Sequence, residues 1–257
     1  MKSIKSFLYL FIALITLSCS KPVEQPNANP EAILKSYYSW WAYNTYNINL
    51  SANYVALDEN LNMIGKEDFL KSLISGKYVT FKLNTSDSTL KYKLHELDAQ
   101  VDKSISSVVS QFAGTHYQYF KMEGKAIPNF SFIDLNGKIY NPETTKGKIV
   151  VLKCWFIRCT MCVKEMPKLN EVVKKYQNNK DIVFLSLAYD DEEELKQFLM
   201  KTKFDYAVSA IPEQYFDEKL KIVAYPTHII VNKKGIISKV NNNAEEMIGA
   251  LEEELLK

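Results

Sequence analysis

The hydrophobic and polar positions divide the chain into two patterned regions that meet near residue 120. In the first region, apolar residues recur at helical spacing in some segments and alternate with polar residues in others. This pattern predicts, in order, a helix that begins at 29–31, strands at 49–57 and 62–64, a helix at 66–75, strands at 78–83 and 90–94, and a helix from about 101 that ends at Gly114. The mixture indicates a smaller α+β domain over residues 30–114.

The aromatic run 37–43 belongs to the first predicted helix. Consecutive residues of a helix point in different directions, which does not suit a flat platform for stacking a carbohydrate. We therefore predict that this helix packs its large side chains into a core, with Trp40 partly exposed.

The second region alternates strands and helices. The run Ile149-Val150-Val151-Leu152 is wholly apolar, as expected of a strand that is buried on both faces. The pattern further predicts a hairpin over 130–140 that turns at Asn136-Gly137, strands at 182–188, 204–208, 227–231 and 236–240, and helices at 160–177, 191–201, 212–221 and 243–256. This order predicts an α/β fold, a mixed sheet with helices on both faces, over residues 125–257.

The first eighteen residues have the pattern of an export signal. Two lysines precede an eleven-residue apolar run, 7–17, which is too short for the ~20 residues of a membrane-spanning helix. The run leads into Ser18-Cys19 and resembles the lipobox of bacterial lipoproteins, although Thr16 departs from the usual aliphatic residue. We expect residues 1–18 to be removed, Cys19 to carry a lipid and 19–29 to form a tether, which places the protein in the cell envelope, lipid-anchored on the periplasmic side. An ordinary signal peptide with a chance cysteine is the alternative.

Composition excludes several classes of protein. With 47% hydrophobic and 24% charged residues, the chain is globular rather than disordered. The net charge of +2 comes from the two lysines of the export signal, so we expect no nucleic-acid partner. Four cysteines are too few for a disulfide scaffold in a chain of 257 residues.

Two of the four cysteines form a CxxC motif, Cys159 to Cys162, where a central strand meets a helix. Sulfurs at this spacing can close a disulfide across the first helical turn, and the free N–H groups and dipole of the helix N-terminus stabilise a thiolate. A zinc site needs further ligands at matching spacing, but only Cys154 and three scattered histidines remain. We therefore expect no metal and no cofactor.

Further motifs surround the cysteine pair, namely Pro128-Asn129-Phe130, 134–138, the strand 148–152, Trp155, 165–167, 224–227 and 232–235. Together they resemble the thioredoxin fold, in its exported TlpA/ResA-like branch, over residues 125–257. The resemblance implies a membrane-anchored thiol-disulfide oxidoreductase that acts on the disulfides or thiols of exported proteins, as a reductant rather than an oxidant. It also implies an unidentified membrane electron donor. Residues 30–114 are left unassigned.

The resemblance implies roles for individual residues. Cys159 is the nucleophile, and Cys162 resolves the mixed disulfide that Cys159 forms with a substrate. Pro226 matches the cis-proline beside the disulfide, which holds the backbone of Tyr225 so that a substrate strand can pair with it. Glu165 matches an acidic residue that could move the proton of Cys162; the alternative is a glutamate favoured only by the helix dipole.

Three departures from the family pattern bear on the redox potential. Residues 160 and 161 are Thr and Met instead of a pair with proline, so the potential does not carry over. Arg158, the only arginine, replaces an aromatic residue; it could stabilise the thiolate or bind an acidic substrate, or it could simply be solvated. Lys153 stands where cytoplasmic thioredoxins keep a buried acid. It could favour the thiolate, lose its own proton or extend past the sheet to water.

Three other functions stay open at this point. A thiol peroxidase would need a Thr or Ser and Pro pocket before its cysteine, where this chain has Ile157-Arg158. A copper-handling protein could use the cysteine pair with His228. A binding lipoprotein could use its N-terminal domain to recognise a partner, without catalysis. Cys154, on the strand, is predicted to be an inert buried thiol.

Overall fold

The computed structural model describes residues 25–257. The predicted export signal, Cys19 and the first half of the tether therefore lie outside the described residues. Over the described range, every helix is either too short or too polar to cross a membrane.

The N-terminal unit packs its helices against a four-stranded sheet. Its elements are α1 (Pro30–Leu34), α2 (Tyr37–Asn47), β1 (Val55–Leu57), β2 (Met63–Ile64), α3 (Lys66–Ile74), β3 (Tyr78–Lys82), β4 (Lys91–Glu96) and α4 (Lys103–Met122). The sheet order is β2-β1-β4-β3, with β1 parallel to β4 and the other pairs antiparallel. Buried side chains from α2, α3, α4 and the sheet form one core, so the predicted α+β class is confirmed.

Several predicted boundaries in this unit are wrong. The first helix is two helices, because the Ser36 backbone is extended and its hydroxyl accepts a hydrogen bond from Ser39 N to begin α2. Gly114 does not end α4, which continues to Met122 and is followed by Gly124 at φ +79°. Residues 49–54 are not a strand. Trp40 is buried, and Trp41 is the exposed member of the pair.

The C-terminal unit is a five-stranded mixed sheet preceded by a small hairpin. Its elements are β5 (Phe132–Ile133), β6 (Ile139–Tyr140), β7 (Ile149–Trp155), α5 (Thr160–Lys164), α6 (Met166–Tyr176), β8 (Ile182–Ala188), α7 (Glu192–Leu199), β9 (Ala207–Ala210), β10 (Thr227–Val231), β11 (Ile237–Asn241) and α8 (Ala244–Leu255). The sheet order is β11-β10-β7-β8-β9, and β10 is antiparallel to both neighbours. The predicted turn at Gly137 is confirmed, with φ +83°.

The central strand β7 is buried over its whole length. Ile149 and Val151 pack with α6 and α8, whereas Val150 and Leu152 pack on the opposite face with Tyr119 of α4. Helical structure therefore covers both faces of the sheet, as predicted. The helix that ends the N-terminal unit also forms part of the second unit's core.

Two predicted helices of this unit differ from the structure. The helix 160–177 is divided at Glu165 into α5 and α6, because Pro167 has no N–H to continue the hydrogen-bond ladder. The helix 212–221 is a π-helical stretch, Tyr215–Leu220, which ends at Lys221 with φ +55°. The strand predicted at 204–208 lies at Ala207–Ala210 instead.

Candidate redox site

The cysteine pair lies where β7 leads into α5. Cys159 caps the helix, and its Sγ accepts a hydrogen bond from the backbone N of Cys162 at 3.2 Å. The two cysteines form a disulfide with a Cα–Cα distance of 5.2 Å. Cys159 retains 8% exposure, whereas Cys162 is completely buried. Only the sulfur of Cys159 can therefore be reached by a sulfur atom of another molecule.

A proline loop packs against the disulfide. The Tyr225–Pro226 peptide bond is cis. The ring of Tyr225 packs against the cluster that contains both cysteines and meets Phe156 edge-on, at 5.3 Å between centroids. Asn242 Nδ2 donates to the carbonyl of Pro226 at 3.3 Å, which ties the loop to the segment before α8.

The proline loop is also held from the N-terminal unit. The hydroxyl of Tyr119, on α4, lies 2.7 Å from Thr227 Oγ1. Thr227 Oγ1 in turn donates to the carbonyl of Ala224 at 2.7 Å. This role of Tyr119 could not be predicted, because the predicted helix ended five residues earlier, at Gly114.

Below the pair, Lys153 is fully buried on β7 and donates to Glu165 Oε1. The same oxygen lies 2.8 Å from His228 Nε2, and Glu165 Oε2 accepts from Ala244 N at 3.1 Å. The alternative that Lys153 extends past the sheet to water is therefore wrong. Glu165, at the junction of α5 and α6, links β7, β10 and α8 through one carboxylate.

The protonation states of this cluster follow from its contacts. Burial lowers the pKa of His228, so the imidazole is neutral and donates Nε2–H to the carboxylate. Burial alone would raise the pKa of Glu165, but the hydrogen bond from His228 and the charge of Lys153 hold that pKa below its usual value. Burial also lowers the pKa of Lys153, against the opposing effect of Glu165.

The Lys153–His228 pair belongs to a longer polar row across the sheet. Ser186 is the register partner of Lys153, and Asn241 is the register partner of His228, so all four share one face. All four are buried, and Ser186 Oγ, His228 Nδ1 and Asn241 Oδ1 have no hydrogen-bond partner among the described residues. Lys153 and Ser186 each interrupt an otherwise apolar strand, but pairing across strands cannot be read from spacing.

The remaining candidates lie near the pair without joining this cluster. Arg158 is exposed, and within 25–257 no hydrogen bond or ion pair joins it to another residue. Cys154 is buried, and burial raises the pKa of its thiol to about 12, which makes it a poor nucleophile at neutral pH. Residues 25–257 contain no group of three or more His, Cys, Asp or Glu side chains arranged to hold a metal ion.

The sheet order, the cysteine pair that caps α5 and the cis-proline loop beside it define a thioredoxin-fold redox protein. The profile of the AhpC/TSA family matches residues 124–240. The thiol-disulfide oxidoreductase ResA of Bacillus thuringiensis subsp. konkukian is 32% identical over 140 residues, which cover 53% of this chain and 79% of that protein. The chain therefore belongs to the ResA-like thiol-disulfide oxidoreductases, and the predicted resemblance and enzyme class are confirmed.

Two further similarities each cover about half of the chain. The thioredoxin-like protein YneN of Bacillus subtilis is 26% identical over 120 residues, which cover 46% of this chain and 71% of that protein. A solved thiol-disulfide oxidoreductase from Bacteroides fragilis aligns with a TM-score of 0.46 at 21% identity, over 50% of this chain and 98% of that one. The family profile begins at residue 124, so it does not include the N-terminal unit.

Proposed function

We propose that this protein is a lipid-anchored reductant of disulfides in exported proteins, which works through Cys159 and Cys162. The observation that carries the proposal is the asymmetry of the pair. A cysteine that retains 8% exposure at a helix N-terminus lies in front of a completely buried one, beside a cis-proline loop. The first cysteine can meet a substrate, and the second can act only after the first has reacted.

The reaction starts from the reduced pair. The Cys159 thiolate attacks one sulfur of a substrate disulfide, forms a mixed disulfide and releases the other substrate sulfur as a thiolate. Cys162 then loses its proton and attacks Cys159 Sγ, which releases the second substrate sulfur. The substrate gains two electrons and two protons. The enzyme is left with the Cys159–Cys162 disulfide, the form seen in the structure, and an unidentified membrane donor returns the two electrons.

We assign to Glu165 the removal of the proton from the Cys162 thiol. It lies three residues beyond that cysteine, and its pKa below the usual value keeps the carboxylate ionised, so it can hold the proton of Cys162 only transiently. Lys153 acts on the pair through Glu165 and tunes the potential. The pairing of this lysine with a carboxylate supports that indirect role over direct contact with the thiolate.

Arg158 and the proline loop are assigned to substrate contact. The exposed guanidinium of Arg158 directly precedes the nucleophile, where it can attract an acidic substrate segment or stabilise the thiolate. The backbone of Tyr225 precedes the first residue of β10, so an extended substrate segment can add to the sheet there.

The anchor is assigned to Cys19. Its support is the sequence alone, namely a short apolar run that leads into Ser18-Cys19 and a polar tether with prolines. This arrangement would hold the redox unit at the periplasmic surface of a membrane.

The alternatives have less support. A copper site on Cys159, Cys162 and His228 would have to release His228 Nε2 from its hydrogen bond with Glu165. A peroxidase would need a hydroxyl and proline pocket before Cys159, where the chain has Ile157 and Arg158.

The experiment is a comparison of cysteine variants. Reduced protein is mixed with insulin, and the rate of disulfide reduction is followed together with the equilibrium potential against glutathione. Cys159→Ser should abolish the reaction, whereas Cys154→Ala, which removes a buried thiol outside the site, should keep it. A potential below about −220 mV supports a reductant, and one near −120 mV indicates an oxidant. Insulin reduction by Cys159→Ser at the wild-type rate would refute the proposal.

A further inference from the structure

A cleft of about 900 Å³ lies between the two units, beside the redox site. One wall comes from the N-terminal unit, with Trp41 on α2 and Phe112 on α4. The other wall comes from the redox unit, with Met161 from the middle of the CxxC motif and with Tyr225 and Pro226. The cleft is therefore continuous with the place where a substrate disulfide must arrive.

The walls expose large apolar side chains to this space. Trp41 is 38% exposed, Phe112 is 41% exposed, and their rings are in contact, with 5.7 Å between centroids. Met161 faces them from the other unit and is 62% exposed. Exposed apolar surface gathered in one place marks an interaction site, and methionine adapts its shape to different partners.

Polar groups lie among the apolar ones along the same cleft. Asn44 and Thr45 from α2, Thr115 from α4 and Asn242 beside the proline loop contribute amides and hydroxyls. A lipid chain cannot form hydrogen bonds with these amides and hydroxyls, whereas the backbone N–H and C=O groups of a polypeptide can. The lining therefore suits an extended peptide with large apolar side chains rather than a purely hydrocarbon ligand.

We propose that this cleft binds an extended segment of the protein substrate and seats an apolar side chain next to the reacting cysteine between Trp41, Phe112 and Met161. The proposal rests on the proposed function, because the reaction at Cys159 is what brings a cysteine-containing segment here. The N-terminal unit is then the second wall of the substrate site, and it selects segments whose cysteine is flanked by aromatic or long aliphatic residues, as in unfolded proteins.

The test compares two peptides that carry one cysteine as a mixed disulfide with glutathione. They differ only in having Phe or Ser at both positions that flank the cysteine. The pre-reduced wild-type protein, used in excess for a single turnover, should react with the Phe peptide with a second-order rate constant about tenfold or more above that for the Ser peptide. Trp41→Ala and Phe112→Ala should each bring this ratio close to one. Tyr46→Ala, which removes an 87% exposed aromatic of the same helix outside the cleft, should keep it.

The outcomes separate this proposal from the proposed function. Equal rates on both peptides, or an unchanged ratio in both cleft variants with a wild-type far-UV spectrum, overturn the cleft proposal alone. A stable dimer that Trp41→Ala dissociates overturns it too, because a second copy would then occupy the cleft. Failure to react with either peptide and with a small aromatic disulfide overturns the proposed function, and this proposal with it.

Discussion

At the scale of single residues, the buried charge of Lys153 is stabilised by a specific partner. An isolated ammonium in a sheet interior is costly, and Glu165 offsets that cost with an opposite charge. His228 completes the arrangement as a neutral donor to the same carboxylate. Removal of one member would leave another uncompensated, so the three side chains act as a unit.

This arrangement makes stability depend on pH. The pKa of His228 lies below its ordinary 6.5, so the unfolded chain binds a proton that the folded chain does not, and stability falls as pH drops below about 6.5. The slope reaches up to about 1.4 kcal/mol per pH unit for this histidine. His116, whose pKa burial lowers to about 4, adds to the loss in the same direction. The pKa of Glu165 is lower in the folded chain than in the unfolded chain. The stability this adds is therefore fully present when the pH is above the unfolded-state pKa, and it is lost as the pH falls through the folded-state pKa.

Urea unfolding at pH 7, 6 and 5 measures this slope. His228→Gln keeps a donor for Glu165 but cannot titrate, so its slope should be shallower than that of the wild-type protein. An identical slope in the variant would show that His228 does not carry the pH dependence.

At this scale the spacing of the cysteine pair could be predicted from the chain itself, whereas the cis-proline was expected only from the resemblance to the thioredoxin-like family. Two cysteines three residues apart at a strand-to-helix junction form a local motif, and the structure joins them in a disulfide. The partners of Glu165 could not be predicted, because Lys153 and His228 are separated from it by 12 and 63 residues and meet it only through the sheet register.

At the scale of elements, α4 continues through Gly114, a residue that locally disfavours a helix, because residues beyond it pack into the two cores. Gly114 disfavours a helix by about 1 kcal/mol relative to alanine. Beyond it, however, Tyr117 and Phe120 pack against the N-terminal core and Tyr119 is buried in the core of the redox unit. These contacts keep the helix intact as far as Met122. Gly76, by contrast, follows α3 with φ +69°, a conformation that glycine adopts readily.

The two glycines should respond in opposite ways to alanine. Gly114→Ala should raise the free energy of unfolding by about 0.5–1 kcal/mol, because the position is helical and no atom lies within 4 Å of the added Cβ. Gly76→Ala should lower it by at least about 1 kcal/mol, because φ is positive and the Cβ would lie 2.6 Å from Ser106 Oγ. Urea unfolding measures both, and destabilisation by Gly114→Ala would contradict the account of α4.

The elements that could be predicted are those with strong local patterns. The strand Ile182–Ala188 lies where the apolar pattern predicted it, and the turn at Gly137 lies where the Asn136-Gly137 pair predicted it. Errors arose where a helix was interrupted or prolonged for tertiary reasons, as at Glu165 and Gly114. Hydrophobic spacing alone does not distinguish one helix from two that share a face.

At the scale of the whole molecule, the N-terminal unit is attached directly to the redox unit. Lys239, on β11, donates to the carbonyl of Ser51 at 3.0 Å and to Asn53 Oδ1 at 3.1 Å. Asn53 also donates to Glu253 of α8 at 2.9 Å. Together with Tyr119 at the proline loop, these contacts fix the wall that faces the cysteines.

The sequence could predict two units but not their relation. Each unit has its own hydrophobic pattern, so each fold class followed from periodicity and order. The contacts between the units depend on single side chains such as Lys239, which carry no distinguishing pattern in a lysine-rich chain. The contribution of α4 to the core of the redox unit could not be predicted, because the predicted helix ended at Gly114.

The measurement that tests the central claim most directly is the capture of a mixed disulfide on Cys159. The Cys162→Ser variant is expressed and exported to the bacterial envelope. Acid stops thiol-disulfide exchange and alkylation then blocks the free thiols. The disulfide-linked complexes are separated and identified by mass. The account predicts covalent complexes with exported proteins that release on reduction, map to Cys159 and are absent from the matched variant Cys159→Ser. Cys162→Ser preparations without any Cys159-linked protein would contradict it.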